Sequence, residues 1–99
     1  MKLQEFQKLG YFVDGAPEKH KVKIGEREIE IGIERISWAE AAKMHNDENL
    51  IFPAALIGRC VVFDDGEKLG YKQACQLDSV AFNALVDVVT GVLNGNPKA

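Results

Sequence analysis

The stretch HKVKIGEREIEIGIERIS, residues 20–37, constrains the fold more than any other part of the chain. Val22 and Ile24 alternate with Lys21 and Lys23, and Ile29, Ile31 and Ile33 alternate with Glu28, Glu30 and Glu34. A period of two is the signature of strands covered on one face, and the break at Gly25 makes the pair a hairpin. A two-residue turn, Gly25-Glu26, sets Lys23 opposite Glu28, Val22 opposite Ile29 and Lys21 opposite Glu30. A four-residue turn over 25–28 pairs Ile24 with Ile29 and Lys23 with Glu30 instead. Both registers keep apolar residues facing apolar ones and lysines facing glutamates, whereas a slip of one would invert the faces. The alternation does not choose between them.

Helical spacing surrounds this hairpin. In KLQEFQKLG, Leu3, Phe6 and Leu9 recur three apart and Gly10 closes a helix too short to stand unless it docks on the rest. Ser37 followed by Glu40 has the spacing of a capping box opening SWAEAAKMHND, with Trp38, Ala41, Ala42 and His45 on one face. Trp38 is expected to be at least partly buried beside the hairpin. Pro53 suits the first residue of a helix over PAALIGRC. In LDSVAFNALVDVVTGVLNG, Asp78 is a natural N-cap and Leu77 a staple for Phe82. There Leu85, Val86, Val89, Val92 and Leu93 make an apolar stripe, and Gly95 stops the helix.

With 99 residues the chain can bury about 60 to 70% of its unfolded surface, enough for one core. These elements predict an α+β fold, a β-hairpin with room for a third short strand packed against three to four helices. Residues 1–94 form one domain on this reading, and residues 95–99 a flexible tail.

The chemistry that enzymes need is missing from the pattern. There is no glycine-rich phosphate cradle and no G-x-S-x-G, and His20 and His45 lie in unrelated contexts. Cys60 and Cys75 stand apart, without C-x-x-C, and read as reduced, half-buried thiols. Asp64-Asp65-Gly66-Glu67 offers three carboxylates but not the alternate spacing of a calcium loop, so it reads as a turn. No catalytic residue, metal or cofactor is expected.

The formal net charge of -3 disfavours a nucleic-acid partner. Lys19, Lys21, Lys23 and Arg27 nevertheless make a basic strip that a small regulatory or nucleic-acid-binding module could use, although opposite glutamates answer those charges. The start of the chain lacks the apolar core of a signal peptide. The longest apolar run, LIFPAALIG, falls far short of the roughly 20 residues of a membrane span, so a cytoplasmic protein is expected. The stripe around Val86, Val89 and Leu93 is long for the core available, and is expected to be open to a partner or to another copy of the chain.

The order of features is similar to that of the small tail assembly chaperones of long, flexible-tailed, lambda-like bacteriophages. The N-terminal LQEFQKLG, the Ile- and Glu-rich strand pair, the capped ISWAEAA, ALIGRCVVFDDGEKLGY and the closing LVDVVTGVLNG carry the likeness over nearly the whole chain. The resemblance implies a protein of the host cytoplasm that binds the tape-measure protein, prevents its aggregation and promotes tail-tube assembly, without a cofactor. It also implies a minor, longer product, made when ribosomes slip back one nucleotide near the end of the frame and adding a domain that engages the tail-tube protein. Asn96, Pro97 and Lys98 can be encoded AAC CCA AAG, which contains the slip-prone heptamer C CCA AAG. The protein sequence permits that heptamer without requiring it.

Overall fold

The turn at Gly25 decides the register. In the computed structural model, which describes residues 1–95, Gly25 has φ +63° and no described non-glycine residue has a positive φ. The left-handed position therefore falls on the first residue of a two-residue turn, the type II′ arrangement. β1 (Glu18–Ile24) runs antiparallel to β2 (Arg27–Ile33), with Val22 opposite Ile29, Lys21 opposite Glu30 and Lys23 opposite Glu28. β3 (Val61–Val62) pairs with Gly32 and Ile33 on the other edge of β2, so the sheet order is β1-β2-β3.

Residues directly opposite share a face. His20, Val22 and Ile24 thus lie with Ile29, Ile31 and Ile33 on the inner side, and α5 (Ser79–Leu93) packs on β1 there while also meeting α3 (Phe52–Cys60). Val22, Ile33, Ile57, Val61 and Val89 are the fully buried centre of the core. The fold is α+β, a three-stranded antiparallel sheet with five helices, as the alternation and the helical stripes require.

The helix caps follow the sequence closely. Ser37 opens α2 (Trp38–Asn46), its Oγ accepting from the Glu40 amide at 3.2 Å. Asp78 opens α5 by accepting from the Val80 amide at 2.8 Å. α5 ends with Gly95 at φ +84°, its amide donating to the Val92 carbonyl at 3.1 Å, which is how a left-handed glycine satisfies the last turn. Only half of the capping box forms. The Glu40 carboxylate instead accepts from Arg59 Nε at 2.6 Å, and Arg59 Nη2 reaches Glu34 at 3.2 Å. Burial opposes the Arg59 charge, but the hydrogen bonds it donates to Glu34 and Glu40 outweigh it and hold its pKa above the ordinary value.

A short α4 (Tyr71–Cys75) is an addition that periodicity does not reveal. Five residues are too few to show a stripe, and tertiary contact sustains it. The Tyr71 hydroxyl accepts from the Ile51 amide at 3.0 Å, and the Gly70 amide donates to the Gly58 carbonyl at 2.9 Å. Cys60 is fully buried, which pushes its thiol up to about 11, whereas Cys75 is exposed; both are unpaired.

Three expectations need correction. The first helix, α1 (Leu3–Gln7), does not dock: it buries no residue, and its Phe6 meets Tyr11 and Phe12 of its own segment, with ring centroids 5.4 and 5.8 Å away. Trp38 is not buried beside the hairpin but is 86% exposed, because the Ser37 cap places it in the first turn of α2, pointing away from the sheet's inner face. Val89 is 0% exposed and belongs to the core between α5 and the sheet, so it is not open to a partner.

Candidate docking furrow

Helix starts set the geometry of an apolar depression on this domain. The cap at Ser37 puts Trp38 and Ala41 three apart on one side of α2, and Pro53 in the first turn of α3 puts Phe52 and Leu56 four apart on the side facing them. Residues three or four apart share a helix face. Thr90 and Leu93 complete the enclosure from the last turn of α5, and Ile36 closes its base. The result is a hollow of about 410 Å³. Ile36 and Leu56 are buried and form its floor, whereas Trp38 stands free on its rim.

This hollow continues at both ends. Beyond Trp38, Ala41 and Phe52 it opens into a second hollow of about 300 Å³ reaching Ala42, His45 and Asn46. There the His45 ring stands edge-on to Phe52, centroids 5.2 Å apart at 72°. Beyond Ile36 and Leu93 it meets a third of about 480 Å³, bounded by Glu18, Arg35 and the segment from Leu9 to Val13. The three hollows share these lining residues and lie side by side as a furrow, its middle part lined chiefly by apolar groups.

The charged end of the furrow is built by Arg35. Its Nε donates to Glu18 Oε1 at 3.0 Å and its Nη1 to the Val92 carbonyl at 2.7 Å, where the C-terminal end of α5 favours a cation. His20 Nε2 lies 3.3 Å from the other Glu18 oxygen. The Arg35 hydrogen bond, against the effect of burial and helped by His20, holds the Glu18 carboxyl below its usual value. His20 therefore has a carboxylate partner two residues back in its own strand. The alternation run back by one step from Val22 places it on the inner face, and that extension is the signal which would have found it.

Of the stripe residues proposed as partner-facing, Leu93 lines the furrow, Val86 is half-buried against the core, and Val89 is wholly within it. The helix face of Trp38, Ala41, Ala42 and His45 is the furrow wall. Asn96, Pro97 and Lys98 lie outside the described residues.

The basic strip is not one surface. Lys19, Lys21 and Lys23 lie on the outer face, but Arg27 sits opposite Ile24 and so belongs to the other side of the hairpin. Lys19 pairs with Asp64 at 3.2 Å and Glu30 at 3.8 Å, and Lys21 with Glu28 at 4.0 Å. Such exposed pairs contribute about 0 to 1 kcal/mol each, yet they set an acidic group beside these lysines. No helix among the described residues is long and apolar enough to cross a membrane.

Compared with known proteins, the chain matches no protein-family model, no curated protein and no solved structure.

Proposed function

We propose that this protein is a tail assembly chaperone of long, flexible-tailed bacteriophages, acting in the host cytoplasm on the tape-measure protein. The furrow rimmed by Trp38 carries this reading. A fully solvated tryptophan beside a lined apolar channel is costly to leave uncovered, and such surfaces are characteristic of binding sites. The furrow is open along its length, which fits the apolar stripe of a helix better than a compact small molecule. A tape-measure chain is long, helical and apolar-striped without a fold of its own to cover those stripes, so a domain that shields one stripe at a time suppresses aggregation. Release of the stripe then lets tube subunits assemble around it.

The end of α5 at Leu93, two residues before Gly95, fits the second half of the proposal. A frame-shifted form would continue from Asn96, Pro97 and Lys98 into an added domain that engages the tail-tube protein, with the furrow domain unchanged.

The experiment is co-expression with the long helical protein encoded downstream of a tail-tube gene. The wild type should keep that protein in the soluble fraction, and Trp38→Asp should fail to do so while retaining its own circular dichroism. Equal rescue by wild type and Trp38→Asp would overturn the furrow as the client site.

A further inference from the structure

The segment before β1 is the most apolar exposed part of the molecule. Phe6 is 40% exposed, Tyr11 71% and Phe12 54%, with Leu3 and Leu9 also open. α1 itself buries no residue. Only Leu9 to Val13 touch the furrow, at its charged end. α1 stands off beyond it.

We propose that this N-terminal arm, residues 1–13, docks in the furrow of a second copy of the chain. The inference rests on the reading that the furrow accepts an apolar helix, but not on the identity of any client. Leu3 and Phe6 recur three apart on α1, the spacing with which a short helix presents one apolar side to a groove. The areas match a specific interface. At these exposures the three rings alone offer roughly 300 Å², and the aliphatic residues bring the arm near the ~800 Å² per partner of a standard contact.

Charge agrees with shape. Lys2 and Lys8 flank the apolar residues of the arm, while Asp47 and Glu48 follow Asn46 at the far end of the furrow. All four are exposed and none makes an ion pair among the described residues. Glu5 lies between the two lysines, and an arm lying along the furrow brings one of them to Asp47 and Glu48.

Each copy carries one arm and one furrow, so the contact is between unlike surfaces. It closes a dimer by exchange of arms or links copies in a row. In either form the arm holds the furrow covered until a client helix displaces it.

Sedimentation velocity on the full chain alone tests this, from about 1 to about 100 µM, the range in which contacts of this size associate. The wild type should grow in size with concentration. Phe6→Asp and Trp38→Asp should each weaken that association by about tenfold or more, as loss of an aromatic anchor does. Neither side chain supports the core, and an aspartate in the first turn of α2 suits the helix, so both variants should keep the wild-type circular dichroism. Mixed together, the two variants should form a heterodimer, because one retains an intact furrow and the other an intact arm. A wild type that stays monomeric throughout, or variants that associate like the wild type or fail to pair when mixed, would overturn the proposal. The client test above would be untouched, since Phe6→Asp leaves the furrow whole.

Discussion

Arg35 Nη1 donates to the Val92 carbonyl at 2.7 Å, tying the segment just after β2 to the last turn of α5. The same guanidinium holds Glu18, which lies opposite Ile33, so one side chain links both strands at the open end of the hairpin to the helix that covers them. Replacing Arg35 with Met should cost about 1 kcal/mol, less than a buried charged hydrogen bond because the side chain is partly solvated. The pH dependence identifies the mechanism. Glu18 has a folded-state pKa below its ordinary value of 4.5, so its contribution is fully present above that value and is lost as pH falls through the folded pKa. The gap between the urea midpoints of wild type and Arg35→Met should therefore narrow as pH falls through the folded-state pKa of Glu18 and widen toward neutrality, the share due to the Val92 carbonyl remaining throughout. A constant gap across that range would assign none of the loss to Glu18.

Gly58 is a steric necessity. A Cβ placed there would lie 2.7 Å from the Gly70 carbonyl carbon and 2.8 Å from its oxygen and the Tyr71 nitrogen. These are backbone atoms that cannot swing aside, and the Gly70 amide is bonded to the Gly58 carbonyl. Gly58→Ala should destabilise the fold by about 1 to 3 kcal/mol despite the better helix propensity of alanine. An unchanged or raised urea midpoint would mean that the α3–α4 contact is looser than this spacing.

Val89 and Leu93 separate core from furrow on a single helix. Val89→Ala should cost about 2 kcal/mol through the cavity it leaves, and Val89→Asp should prevent folding, since it would put an unpaired carboxylate at a position that is 0% exposed. Leu93→Asp, at the half-open furrow wall, should leave the circular dichroism intact. If Val89→Asp folds normally, the position of α5 on the sheet is wrong.

The hairpin, the caps of α2 and α5 and the glycine stop at Gly95 were legible because each is a local rule with a local partner. The furrow was legible only in part. Trp38, Ala41, Ala42 and His45 visibly share a face, but spacing cannot say whether a face is covered, and Phe52 and Leu56 join it only through the α2–α3 packing. Val89 misled because a stripe on one helix is divided between core and surface by where the other elements fall. The first helix failed to dock for the same reason: Leu3 and Phe6 follow a helical pattern, but α1 buries neither, and spacing alone does not say what would cover them. Extending the strand parity to His20 and Arg27 would have found the inner-face histidine and split the basic strip without any coordinates.

The two thiols should differ sharply. Cys60 is fully enclosed and burial raises its pKa to about 11, so at neutral pH it is neither accessible nor ionised, whereas Cys75 is exposed. Reaction needs the thiolate and a path to it. A chromogenic thiol reagent should therefore titrate one group in the native protein and two in urea. Two fast groups in the native state would show that α3 opens readily.

Salt dependence decides between apolar and ionic recognition. Every phosphate neutralised by a lysine adds about −0.9 to the slope of log affinity against log salt for duplex DNA, so Lys19, Lys21 and Lys23 acting together would give a slope near −3. Two of the three already stand beside carboxylates, Lys19 at Asp64 and Lys21 at Glu28, and the net charge of -3 repels a polyanion further. Recognition through Ile36, Trp38, Phe52 and Leu93 buries apolar surface instead, and that contact strengthens in salts excluded from protein surfaces. Binding of an apolar-striped helical peptide, followed by Trp38 fluorescence, should be level in sodium chloride and tighter in sulfate. Duplex DNA should show no saturable binding at physiological ionic strength. A steep loss of peptide affinity with salt would move the site from the furrow to the outer face of the hairpin.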